Sequence, residues 1–119
     1  MHELSVCQAL IAQLEELAHR ELAQRVERVL VGVGPLSGVE PQLLQRAYPL
    51  AAAGTLAQDS ELAIEDRPVR VHCQQCDEDS DASASRLLCA HCGNWRTTLL
   101  SGDELMLIQV EFIREKDYV

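Results

Sequence analysis

A chain of 119 residues is long enough for one ordinary domain, or for one small domain carrying a smaller metal-stapled one. Its hydrophobic fraction of 47% fits a folded globular protein, but aromatics reach only 3%, so the core has to be built from Leu, Val, Ile and Ala. A formal charge of -9 repels phosphate backbones and argues against nucleic acid, and no run is long and apolar enough to span a membrane.

The chain opens "MHEL", with His2 and Glu3 directly behind the start methionine. From Leu4 to about Gln24 the pattern predicts a helix. Leu4, Cys7, Leu10, Ile11, Leu14, Leu17 and Ala18 recur at three- and four-residue steps. Cys7 lies on that apolar stripe and is expected to pack as a core thiol. Residues 25–34, "RVERVLVGVG", predict a strand that the glycines end. "PLSGVEP" reads as a loop, and its Pro41 also suits the first turn of a second helix with Glu40 near the cap.

That helix is expected from about Pro41 to Ala53, with Leu43, Leu44, Ala47 and Leu50 on its apolar side. Pro49 should kink or loosen it, and Gly54 should close it. Residues 61–71, "ELAIEDRPVRV", predict a second strand with Pro68 at a bend or sheet edge. The segment from His72 to about Thr98 is poor in core formers. Residues 104–114, "ELMLIQVEFIR", predict a third strand. The expected fold is α+β: a small mixed three-stranded sheet with two helices, plus an inserted zinc-ribbon domain. The expected boundaries are 1–70 completed by 102–119, with 71–101 as the ribbon.

Cys73-x-x-Cys76 and Cys89-x-x-Cys92 are separated by the twelve residues 77–88. Each CxxC turn aims two thiolates at one point, and two turns complete a tetrahedron that suits Zn(II) with no open coordination position. The expected role is therefore structural, with metal binding coupled to folding of a segment that has too little core of its own. A zinc-dependent enzyme is disfavoured, because no position is left for an activated water. His72 and His91 flank the pairs. They read as solvated neighbours, although either imidazole could stand in for a thiolate. The acidic linker Asp77, Glu78, Asp79 and Asp81, offset only by Arg86, again argues against nucleic acid. Five cysteines without a signal-peptide pattern point to the reducing cytoplasm.

The N-terminus is a second candidate metal site. The Met1 amine, the amide nitrogens of His2 and Glu3, and the His2 imidazole lie within a few bonds of one another. Together they offer a nearly planar nitrogen set suited to Ni(II) or Cu(II) and unsuited to zinc. Glu3, or Glu40 from the loop, is placed to complete or gate it. The plainer alternative is a polar helix start, with Glu3 complementing the helix dipole.

"MHEL" leading into an amphipathic helix, then "GPLSGVEPQLLQRAY", "ELAIED", "CQQC…CAHCG" and "LSGDELMLIQVEF", resembles the HypA/HybF family of hydrogenase nickel-incorporation proteins over nearly the whole chain. The resemblance implies a non-enzymatic metallochaperone that delivers Ni(II) to the large-subunit precursor of [NiFe] hydrogenase. It implies a HypB-type nickel GTPase as partner, and urease maturation proteins for some members. It assigns nickel to His2 and Glu3, with the Met1 amine and Glu40 as further donors, and zinc to Cys73, Cys76, Cys89 and Cys92. The chain departs from the family at Ala90, where the second knuckle usually has proline. A zinc-ribbon adaptor in which His2 is incidental is the rival reading.

Overall fold

The computed structural model describes residues 2–114, with the side chain of His2 excepted. Helix α1 (His2–Arg20) is followed by strand β1 (Arg25–Val33), helix α2 (Pro41–Ala52) and strand β2 (Glu61–Asp66). Three short strands come next, β3 (Arg70–Cys73), β4 (Asp79–Asp81) and β5 (Thr97–Ser101), and then β6 (Leu105–Ile113). One three-stranded sheet has the order β2-β1-β6 and the other the order β4-β3-β5. The chain divides into two compact units. One holds residues 2–31, Val39–Ile64 and residues 107–114; the other holds Gly32–Gly38 and Glu65–Met106.

α1 forms where the apolar period predicts it, but it stops at Arg20, short of Gln24. Leu22 adopts a left-handed φ of 54°. The Leu22 N–H reaches the His19 carbonyl at 3.3 Å, and the Ala23 N–H reaches the Ala18 carbonyl at 2.9 Å. These are the paired bonds of a Schellman stop, with leucine where glycine is usual. Leu22 is 84% exposed, so its side chain contributes little burial to offset the strain. Leu22→Gly is therefore expected to raise stability by about 1 kcal/mol, read as a shift in the urea midpoint at constant slope. A lowered midpoint would refute that reading of the stop.

The core of the first unit is Cys7, Leu10, Ile11, Leu14 and Ala18 of α1 against Val26, Val29 and Val31 of β1, Leu44, Tyr48 and Ala52 of α2, and Leu62 of β2. Helices α1 and α2 pack on each other. Cys7 is fully buried, and its thiol donates to the Leu44 carbonyl at 3.6 Å. Burial first, and the Glu3 carboxylate second, push that thiol up to about 11.

α2 corrects one expectation. The sequence carries two apolar stripes, and the buried one is Leu44, Tyr48 and Ala52. Leu43 and Leu50 face solvent. Tyr48 decides the rotation: its ring is buried while its hydroxyl shares a 2.7 Å hydrogen bond with Ser60. The helix runs through Pro49 for one more turn and ends before Gly54, whose φ of 77° turns the chain away.

The strand expected over residues 61–71 is two strands. The break falls at Arg67-Pro68-Val69, so β2 joins one sheet and β3 the other. Pro68 has no N–H to give to a ladder. β1 and β2 meet at their C-terminal ends, where the Arg67 N–H donates to the Val33 carbonyl at 3.0 Å, so they run parallel. β6 runs antiparallel to β1, with Gln24 bonded to Ile113 and Gly34 to Glu104. The sheet is therefore mixed. The cysteine segment builds its own sheet: β3 pairs antiparallel with β4 through Val71↔Ser80, and with β5 through Val71↔Leu99.

Candidate metal centres

β3 ends on Cys73, and the first knuckle turns the chain back into β4. The second knuckle stands just before β5. The two are built alike. In the first, the N–H groups of Gln75 and Cys76 point at Cys73 Sγ from 3.3 and 3.4 Å. In the second, the N–H groups of His91 and Cys92 point at Cys89 Sγ from 3.3 and 3.5 Å. Each turn then closes through a left-handed residue directly after its second cysteine, Asp77 with φ 60° and Gly93 with φ 75°.

The four sulfur atoms lie within 4.8 Å of one another. Cys73 Sγ is 3.6 Å from Cys92 Sγ, and Cys76 Sγ is 3.6 Å from Cys89 Sγ. A tetrahedron of sulfurs at the zinc bond length has edges of about 3.8 Å, so the donor set fits the ion in both chemistry and size. Amide donors hold the Cys73 and Cys89 thiols below the ordinary thiol range, with the Cys76 and Cys92 amides the first cause respectively. Pre-aimed N–H dipoles of this kind favour the thiolate that a metal requires.

The cluster is held from outside by contacts that were hidden in the sequence. Ser80, buried in the middle of β4, accepts the Ala90 N–H at 3.0 Å. Its bond fixes the second knuckle at Ala90. Gln74 donates to Thr98 at 2.8 Å and ties the first knuckle to β5. A serine within "DEDSD" reads only as part of an acidic linker, so no sequence signal singled it out.

His72 lies between two carboxylates, with Nδ1 2.6 Å from Asp79 and Nε2 2.9 Å from Asp77. The hydrogen bond to Asp79, helped by Asp77, holds its pKa above the usual imidazole value. Both ring nitrogens are thus engaged. His91 Nε2 stands 3.3 Å from the Asp79 backbone carbonyl. Neither imidazole belongs to the four-sulfur group.

At the other candidate site, α1 begins at His2. The amides of His2 and Glu3 therefore fall among the first N–H groups of a helix, which have no intrahelical acceptor. Glu3 is only 8% exposed, and its Oε2 accepts the Glu40 N–H at 3.2 Å. That bond joins the first turn of α1 to the residue that caps α2 across 37 positions of sequence. Glu40 makes no side-chain cap bond to α2, so capping leaves its carboxylate unspent. Met1, and the His2 side chain with it, lie outside the described residues.

The family model "HypA: Hydrogenase/urease nickel incorporation, metallochaperone" matches residues 1–112. The hydrogenase maturation factor HypA of Nitrosospira multiformis is 47% identical over 113 residues, covering 95% of this chain and 98% of that protein. Its counterpart from Aquifex aeolicus is 36% identical over 111 residues, covering 93% and 96%. The solution structure of the Ni metallochaperone HypA from Helicobacter pylori superposes with a TM-score of 0.71 at 30% identity, covering 95% of this chain and 98% of that one.

Proposed function

This chain belongs to the HypA family of nickel metallochaperones for hydrogenase maturation, and on that premise we propose that it carries Ni(II) on its N-terminus. It is a carrier and not an enzyme. The donors in this reading are the Met1 amine, the amide nitrogens of His2 and Glu3, and the His2 imidazole. Glu3 and Glu40 supply carboxylates beside them. The observation that carries the reading is the Glu3–Glu40 hydrogen bond, because it draws two parts of the chain with ligating side chains to one place.

The local physics suits a cargo site. Amides in the first turn of a helix can lose their protons without breaking a helix hydrogen bond. The positive end of the helix dipole favours the resulting amidates while opposing the cation itself. Reprotonation of the amides, or capture by a partner's thiolates, then lets the nickel go. The cysteine cluster takes Zn(II) as a structural ion and stays closed, so the two metals do not compete for one donor set. The recipient is the [NiFe] hydrogenase large-subunit precursor, working with a HypB-type GTPase in the cytoplasm. The family also takes in urease nickel incorporation.

Calorimetric nickel titration of the zinc-loaded chain with its native N-terminus tests this. One equivalent should bind, and His2→Ala should weaken it at least about 100-fold, beyond the ~10–100-fold loss usual for residues that only support a ligand. Equal binding by both proteins would reduce "MHEL" to a helix start and leave the adaptor reading.

A further inference from the structure

The stripe of α2 that loses the competition for the core still needs an explanation. Leu43, Ala47 and Leu50 fall four and three residues apart, the spacing of one helical face. Leu43 is 44% exposed and Leu50 74%, and Leu4 of α1 is exposed as well. Together with Arg46 and the buried Glu3 they line a groove of ≈ 220 Å³. Four aliphatic side chains around one concavity are not the scattered single exposures normal on a soluble surface.

Arg46 gives the groove a chemical preference. It is exposed and forms no ion pair among the described residues, whereas Arg20, Arg28, Arg67, Arg70 and Arg114 all do. An unpaired guanidinium on a chain of net charge -9, set among leucines, is complementary to a carboxylate flanked by apolar residues. A second copy of this chain fits poorly. Two-fold apposition of the stripe would set Arg46 against its own copy and bring together two chains that each carry a net charge of -9.

We infer that this groove docks an amphipathic helix of a maturation partner, with aliphatic residues at i, i+3 or i+4 and i+7, and an acidic residue to meet Arg46. Glu3 is among the residues that line the groove, so the docked helix would lie beside the proposed nickel terminus, where a receiving or loading partner has to be. This placement rests on the N-terminal nickel reading; the stripe and the charge do not.

The test uses the full zinc-loaded chain carrying Leu43→Ser with Leu50→Ser, Arg46→Glu, or Arg46→Lys. All three residues are solvent-facing and none is a proposed nickel donor. Nickel titration should stay within about twofold of the parent for every variant. Hydrogenase activity in cells at limiting nickel should fall tenfold or more for the double serine variant and for Arg46→Glu, and should be largely kept by Arg46→Lys. Unchanged maturation with the double serine variant would overturn the proposal. So would a parent chain that sediments as a dimer and becomes monomeric in that variant, because the occupant would then be a second copy. Absence of N-terminal nickel binding in the parent would sink the nickel reading alone, and the maturation assay would still decide the groove.

Discussion

Cys89→Ser is expected to reduce bound zinc from one equivalent to under about a tenth, and to unfold the unit built on β3, β4 and β5. That unit's buried side chains are few: Val33, Val69, Val71 and Ser80, with Cys73 and Cys89 themselves. Two of its six buried side chains are therefore metal donors. Structural zinc contributes roughly 10–16 kcal/mol of apparent binding energy at neutral pH in small modules, while whole domains hold only about 5–15 kcal/mol of net stability. A site with three thiolates also loses the two amide bonds that converge on Cys89 Sγ. Cys7→Ala is the control. Its thiol meets the Leu44 carbonyl in the other unit, so it should cost about 1 kcal/mol as a small core truncation and leave zinc content at one equivalent. Metal analysis and the fluorescence of Trp95, the sole tryptophan, report both outcomes. Full zinc retention in Cys89→Ser would show that the cluster is not a four-thiolate site.

The elements readable from sequence were those whose periodicity had no rival. α1 has a single apolar stripe and formed as expected except for its last turn, and β1 runs through Gly32 to stop just before Gly34. α2 has two stripes, and hydrophobicity alone does not rank them; the Tyr48–Ser60 bond does, and it depends on a residue twelve positions away. The strand over residues 61–71 had the right composition throughout, but Pro68 divides it between two sheets. β4 is "DSD", with no strand signal at all, and exists because β3 offers it a ladder. β5, "TTLLS", has weak strand character and was absorbed into the cysteine segment.

The metal sites divide in the same way. A CxxC pair fixes its own geometry locally, so the four sulfurs were legible from spacing. The meeting of Glu3 with Glu40 is a tertiary event: the loop offered Glu40 as a carboxylate for the N-terminus and the family resemblance assigned it there, but no spacing fixed the contact. The contrast follows from what each metal needs. A closed tetrahedron of thiolates, braced by Ser80 and Gln74, suits an ion that stays. The donors proposed for nickel, on the first two residues of a helix, suit an ion that has to leave.

Gly34→Ala should be strongly destabilising. An added Cβ would stand 2.1 Å from the Gly102 carbonyl oxygen and 2.3 Å from its carbon. Both are backbone atoms, so no rotamer change relieves the clash. The same crossing carries two hydrogen bonds, from the Gly34 N–H to the Glu104 carbonyl at 2.8 Å and from the Leu36 N–H to the Gly102 carbonyl at 2.7 Å. Gly102 cannot retreat easily. A left-handed φ of 119° and the Val69 side chain 2.9 Å from its own Cβ position hold it in place, and Glu104 Oε1 accepts its N–H at 2.6 Å. Overpacking of about 1–3 kcal/mol, plus about 1 kcal/mol for each weakened hydrogen bond, gives a loss of roughly 3–5 kcal/mol. The thermal midpoint should fall by at least about 10 °C. Gly38→Ala separates this clash from backbone strain alone. Gly38 has φ 80°, yet its added Cβ would meet nothing within 4 Å, so it should lose only about 1 kcal/mol. Equal losses in the two variants would mean that the contact between "GVGP" and "LSGDE" gives way enough to take the added methyl group. A larger loss at Gly34, where no left-handed φ is at stake, would identify that crossing as the reason these two short segments carry glycine.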